Sequence, residues 1–375
     1  FGREKPGRAS GIVSALDPNR TSCRDVARLC ALARIEVNRM KTRFGHSAIV
    51  LVFALVVSSC ATPGAYDSAP AQIAEQFLET SGLSGLAISV GTADQIIWSQ
   101  GFGYADLEQD VPVDPSVTKF RVGSTAKSMT AVAIGQLYEN GRLDLDAPIQ
   151  TYLPAFPQKS GIITTRLLAG HLAGIRHYAN QNEFLSSVPY DSVSDSLNIF
   201  ADDPVLFPPG TEFGYSTYGY NLISAVLESV SGEEFVEYMA RSVFGPAGME
   251  STVPDRVYPL IRHRSRYYSM RDSEIVNAPW VDNSNKWAGG GFLSTSDDLV
   301  RFGQAHLSDT LLSRQTIDMM WRSQKTSAGE ETGYGIGWFI AKDKSKRRII
   351  RHSGGSIGGT TELRIYPDHD LIVVV

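Results

Sequence analysis

Strand-like runs stand at both ends of the sequence beyond residue 75, and helical patterns fill the middle; this distribution constrains the fold more than any other feature. Near the front, Leu86–Val90 and Gln95–Gln100 flank Gly91-Thr92-Ala93-Asp94, which reads as a hairpin. At the far end Tyr334–Ala341, Arg347–His352, Thr360–Tyr366 and Leu371–Val375 read as strands with turn signals between them. The longest helical pattern is Ser124–Asn140, where Met129, Val132, Ala133, Gln136 and Leu137 recur every three or four residues and Gly141 follows as a stop. Thr217–Val230 is a second, ending near Gly232, and Thr295-Ser296-Asp297-Asp298 caps a third that carries Leu299, Val300 and Phe302. A shorter pattern covers Gln72–Thr80 and stops at Gly82. The economical packing is α+β: one mostly antiparallel β-sheet built from both ends, flanked by helices, with an inserted helical lobe. A small-molecule cleft is expected between such lobes.

Composition supports a folded enzyme-sized chain. With 42% hydrophobic and 20% charged residues over 375 positions, disorder and low complexity are excluded, and a large core can form without disulfides. The net charge of −5 gives no basic excess, so nucleic acid is not an expected partner. The charge is split, however. Residues 1–43 hold ten Lys or Arg and four Asp or Glu, a surplus of +6 that leaves −11 for the remainder. Cys23, Cys30 and Cys60 also crowd the front.

Met40-Lys41-Thr42-Arg43 precedes the unbroken apolar run Ala48–Val57, too short for a membrane span but suited to a signal-peptide core. Val57-Ser58-Ser59-Cys60-Ala61 resembles the lipobox of bacterial lipoproteins. The resemblance implies lipidation at Cys60, a membrane anchor there, export, a periplasm-facing position and, from Ala61, the outer membrane. An Arg-rich mitochondrial transit peptide is the rival, disfavoured by the four acids and the sharp apolar core. The expected organisation is a non-native leader over 1–39, with Met40 as the start, a signal peptide over 40–59, a tether over 60–74 and a catalytic domain over 75–375. Beyond Cys60 no cysteine remains, which rules out disulfides and thiolate metal sites there. The chain stops inside a strand-like run, so it reads as part of a longer protein.

Three short motifs carry chemistry. Ser124 and Lys127, three apart at the head of the long helical pattern, share one helix face, where the first turn favours developing negative charge. Tyr215-Ser216-Thr217 stands at a turn before the second helix, and His352-Ser353-Gly354-Gly355 ends a strand-like run. Each alone has an ordinary structural reading: chance spacing, aromatic packing and a satisfied histidine. Together, in this order, they resemble the serine β-lactamase and penicillin-binding-protein superfamily. The resemblance is closest to its class C/peptidase S12 branch and to the mitochondrial serine β-lactamase-like proteins and their bacterial relatives. It spans about 75–375, supported by 141–154, 164–178 and 281–295.

The resemblance implies a serine hydrolase that forms an acyl-enzyme on amide, peptide or ester bonds, with no cofactor and no metal. Ser124 would be the nucleophile and Lys127 its proton partner. Tyr215 would be a general base, its phenol pKa lowered by Lys127 and a protonated His352. Backbone N–H groups of Ser124 and Gly355 would form the oxyanion hole, and Thr217, Ser353 and Gly354 would line the substrate. Relatives close the sheet with a further C-terminal element. Two departures bear on substrate. Thr217 replaces the Asn of many members, removing an amide that would bridge Lys127 and substrate. His352 replaces the usual Lys, so a carboxylate would be anchored only by an imidazolium, with turnover falling as pH rises. Both point away from efficient β-lactam turnover and toward small peptide, amide or ester substrates; β-lactamase and carboxylesterase are the alternatives on the same fold.

Other motifs are weaker. Gly354–Gly358 matches the G-x-S-x-G elbow, with Ser356 as its serine, but a strand-like run rather than a helix follows. His171 and His177 fit no metal pattern. His263 lies among Arg262, Arg264 and Arg266 in a local basic spot. The reading from a different class is a non-catalytic envelope lipoprotein, disfavoured by retention of all three polar motifs. Oligomeric state is not legible.

Overall fold

The computed structural model describes residues 69–375, so the leader, the signal peptide and Cys60 lie outside the described residues. One compact unit comprises Leu78–Asp343 and Arg347–Val375 and holds the sheet, the core and the site. The described part of the other unit is 69–77 and 344–346. Helix α1, Ala69–Ser81, begins inside the stretch expected to be tether.

A seven-stranded sheet is built from both ends of the chain. Its N-terminal part is β1 (Gly85–Gly91), β2 (Ile96–Asp106) and the short β3 (Val111–Pro112). Two further strands, β4 (Phe120–Arg121) and β5 (Val253–Pro254), pair with β8 (Phe292–Ser294) in a small separate sheet, while β6 (Tyr268–Arg271) and β7 (Glu274–Asn277) form a hairpin. The C-terminal part of the large sheet is β9 (Phe339–Lys342), β10 (Arg348–Ser356), β11 (Gly359–Tyr366) and β12 (Leu371–Val374). The order is β3-β2-β1-β12-β11-β10-β9, every pair antiparallel. The last strand therefore lies between β1 and β11, with Val90 opposite Val373 and Leu363 opposite Val374. This matches the α+β arrangement expected from the ends of the sequence.

The longer helices are α2 (Ala126–Glu139), α3 (Thr217–Ser231), α4 (Ser296–Leu307) and α5 (Arg314–Met320). Every residue of α2 from Ala126 to Gly135 is buried, the behaviour of a helix enclosed on all sides rather than amphipathic. Gly141 after it and Gly232 after α3 take the left-handed conformation that ends a helix cleanly. Thr295 Oγ1 accepts the Asp298 N–H at 3.1 Å, the cap expected for α4.

The expected strand Tyr334–Ala341 is shortened. Only Phe339–Lys342 is strand; the preceding residues form a buried turn. A Cβ on Gly335 would meet Met320 O at 2.0 Å, and one on Gly337 would meet the Ala131 Cβ at 2.5 Å. Close backbone approach to α5 and α2 takes precedence there over strand pairing.

A buried ion pair ties the small sheet to the large one. Arg121 Nε lies 2.7 Å from Asp255 Oδ2, both side chains are nearly inaccessible, and Arg121 Nη1 donates to Ile357 O in the β10–β11 turn at 3.0 Å. Asn283 Nδ2 adds a 2.8 Å bond to the same carboxylate. This node fixes the turn that follows the third motif.

Candidate active site

Ser124 sits in a single tight turn, Gly123–Thr125, that leads into α2. The end of β10 runs directly against it. Strand β9 pairs with β10 only from Arg348 to Arg351, so residues 352–356 have a free edge on that side. Gly123 has φ +50°, and a Cβ there would meet Gly355 N at 2.6 Å. A Cβ on Gly354 would meet Val122 O at 1.8 Å and Ser124 N at 2.9 Å. Two glycines thus let the backbones touch. Gly355 itself faces open space and is exposed, as is Ser353. The turn and the strand edge bring the backbone of Gly355 beside that of Ser124, the two groups expected to form an oxyanion hole.

Lys127 is completely buried. Its Nζ lies 3.1 Å from Ser124 Oγ, 3.2 Å from Thr217 Oγ1 and 2.7 Å from Gly289 O. Burial drives its pKa well below the usual lysine value, and Lys286 adds to the effect. The site therefore disfavours the ammonium form of Lys127. Thr217 keeps the lysine half of the bridge that an Asn would make, so that link is retained rather than lost.

Two expectations are corrected here. Tyr215 does not have a lowered pKa. Burial pushes it above the ordinary phenol value, against the pull of a hydrogen bond with Ser124. The group over its ring at 4.9 Å is the Lys127 amine, whose own charge is suppressed. His352 is not protonated near neutral pH. It is buried, with its pKa pushed down to about 3 by burial and by Lys127. Its Nδ1 lies 2.7 Å from Ser353 O, which can only accept, so Nδ1 carries the proton. Its Nε2 then accepts from Tyr334 Oη at 2.9 Å. Both nitrogens are occupied, so His352 offers no cation to a carboxylate and supplies no positive charge to Tyr215.

Several neighbours were not identified from the sequence. Gly289 O holds Lys127 as described, and Lys286, three residues before it, is 5% exposed. Lys286 Nζ donates to Phe184 O at 3.1 Å and lies 5.3 Å from the Tyr178 and Phe184 rings. Its pKa is lowered to about 8, first by burial and then by Arg121, with Asp282 and Asp255 opposing. Both residues fall in 281–295, a segment that carried the resemblance without a role for either. His171 and His177, unplaced as metal ligands, accept backbone N–H groups of Ser216 and Thr217. Ser356 closes the β10–β11 hairpin opposite Gly359, with no helix behind it, which discards the elbow reading. His263 is an exposed loop residue with φ +59°.

A family model described as Beta-lactamase matches residues 70–375. The mitochondrial serine beta-lactamase-like protein LACTB of Homo sapiens is 32% identical, over 76% of this chain and 69% of its own length. Penicillin-binding protein 4* of Bacillus subtilis (strain 168) is 29% identical, over 73% of this chain and 63% of its own. Among solved structures, the penicillin binding protein from Bacillus halodurans superposes with a TM-score of 0.67 at 25% identity, covering 77% of this chain and 89% of that one. With a serine and a buried lysine in contact at the head of the central helix, and a family match over all but the first of the described residues, the chain belongs to the β-lactamase family of serine hydrolases.

Proposed function

We propose that Ser124 is acylated by an amide, peptide or ester substrate, with the neutral amine of Lys127 as its base. The carrying observation is the set of contacts around Lys127 Nζ. A neutral amine has two N–H groups and one lone pair. In that state Gly289 O and Thr217 Oγ1 would take the two N–H groups, and the Ser124 hydroxyl, 3.1 Å away, would donate to the lone pair instead of accepting from an ammonium. In acylation the Ser124 proton passes to Lys127 as Oγ bonds the carbonyl carbon. The resulting oxyanion meets the N–H groups of Ser124 and Gly355. Tyr215, held protonated by burial, relays a proton to the leaving group and regains one from the Lys127 ammonium. Water then reverses these steps on the acyl-enzyme. Ser353, Gly354 and Thr217 line the substrate side.

The neutral state of His352 favours substrates not recognised through a carboxylate at that position, such as esters and neutral amides. Full-length protein is tested on p-nitrophenyl esters, D-Ala-D-Ala and L-peptides, and nitrocefin. Ester or peptide hydrolysis should exceed nitrocefin hydrolysis and vanish in Ser124→Ala. Undiminished hydrolysis in that variant would overturn the assignment. We also propose, from residues 48–61 alone, that Cys60 is lipidated and anchors an exported, periplasm-facing protein. Radiolabelled palmitate should be incorporated in a bacterial host and lost in Cys60→Ala; equal labelling of both would refute it.

A further inference from the structure

The loop between residues 170 and 178 holds the second motif from one side through four hydrogen bonds. Gly214 N–H donates to His171 O at 2.8 Å. Ser216 N–H donates to His171 Nδ1 at 3.2 Å, and Thr217 N–H donates to His177 Nδ1 at 3.1 Å. Ser216 Oγ donates to Arg176 O at 2.7 Å while accepting the Gly219 N–H at 3.0 Å as the cap of α3. The same two imidazoles flank the Tyr215 ring. His171 lies 4.2 Å from it between centroids, and His177 meets it edge-on at 5.9 Å.

We propose that His171 and His177 are positioning residues that hold Tyr215 and Thr217 in register with Ser124 and Lys127, acting as neutral imidazoles whose Nδ1 lone pairs accept consecutive backbone N–H groups. The inference rests on the serine-hydrolase reading above.

Two features of His171 set it apart from an ordinary packing residue. It has φ +60°, which is uncommon for any side chain but glycine. Its Nε2, which must carry the proton if Nδ1 accepts, is buried without a hydrogen-bond partner. Strain and an unsatisfied polar group at one residue are typical of functional sites rather than of cores. The positive end of α3 also disfavours an imidazolium at both positions. His177 is faced by Lys127, Lys286, Glu183, Tyr178 and Tyr215, and its pKa is lowered to about 4, first by burial and then by the two lysines. His171 is faced by Lys127, His352 and His177 and by the rings of Tyr215, Tyr220 and Tyr334, and its pKa is likewise depressed. Protonation of either ring would replace an acceptor by a donor and release the motif.

The test compares His177→Asn, whose Oδ1 can stand in for Nδ1, with His177→Leu, which cannot accept. Activity is read with a neutral ester. His177→Leu should lose roughly ten- to a hundredfold in kcat with little change in KM, the scale of a small misplacement of a catalytic group, and His177→Asn should recover most of it. Equal losses in both variants, or wild-type kcat in His177→Leu, would overturn the clamp. A tautomer measurement decides independently of turnover and of how well the leucine variant folds. Long-range proton–nitrogen spectra of the wild type should show Nε2–H imidazoles for His171 and His177. An Nδ1–H on either refutes the proposal, whereas an inactive wild type with the expected tautomers refutes the hydrolase reading instead.

Discussion

Lys127 is the residue on which stability and function diverge. A buried amine is unfavourable as a cation, which is why its pKa is depressed. The folded chain gives up this proton at a lower pH than the unfolded chain does. Stability therefore rises with pH across this group, and is reduced at pH 7 relative to a chain without it. Lys127→Met fills similar volume without the charge. Its melting temperature should equal or exceed that of the wild type in calorimetry at pH 7, while activity falls by roughly a hundredfold or more. A clearly lower melting temperature would show that the three contacts of Nζ outweigh the burial penalty. The identities of Ser124 and Lys127 were legible because three motifs in one order resemble those of a known superfamily; the spacing of three alone says only that the two side chains share a helix face. The protonation states of Tyr215 and His352 were not. They depend on how deeply each ring is buried and on Tyr334, a partner 18 residues away from His352 in sequence.

At the scale of elements, the strand edge beside Ser124 depends on two glycines. Gly354→Ala would place a methyl 1.8 Å from Val122 O, which cannot be accommodated without moving β10 away from the Ser124 turn. The expected result is a loss of ester hydrolysis of roughly a hundredfold together with a lowered melting temperature. Activity within a factor of two of wild type would contradict the backbone-to-backbone geometry. The sheet was legible because its strands carry apolar runs broken by turn residues. The two-residue strands β3, β4 and β5 were not, since such short segments have no periodicity to read. The Arg121–Asp255 node was also invisible, because its partners lie 134 residues apart. The roles of His171 and His177 were missed for a related reason: their acceptors' partners are main-chain groups, which leave no mark in the side-chain pattern.

The whole molecule carries an acid sensitivity in its interior. His171, His306 and His352 are fully buried and neutral, with pKa values lowered chiefly by burial, to about 4 for His306 and about 3 for His352. An unfolded imidazole titrates near 6.5. Below that pH the unfolded chain takes up protons that the folded chain refuses, so stability is lost as pH falls. His306 and His352 together give up to ~3 kcal/mol per pH unit between about pH 5.5 and 4.5, and His171 acts in the same direction. Urea midpoints should drop steeply over that interval; midpoints that stay level would show that these rings accept protons while folded. The central claim is that a neutral, buried Lys127 activates Ser124. Its most direct test is the rate of covalent labelling of Ser124 by a fluorophosphonate, followed by intact mass across pH in wild type and in folded Lys127→Met. The account predicts a single adduct on Ser124 whose rate rises with pH as Lys127 loses its proton, and no comparable labelling in Lys127→Met at any pH; wild-type labelling rates in that variant would contradict it.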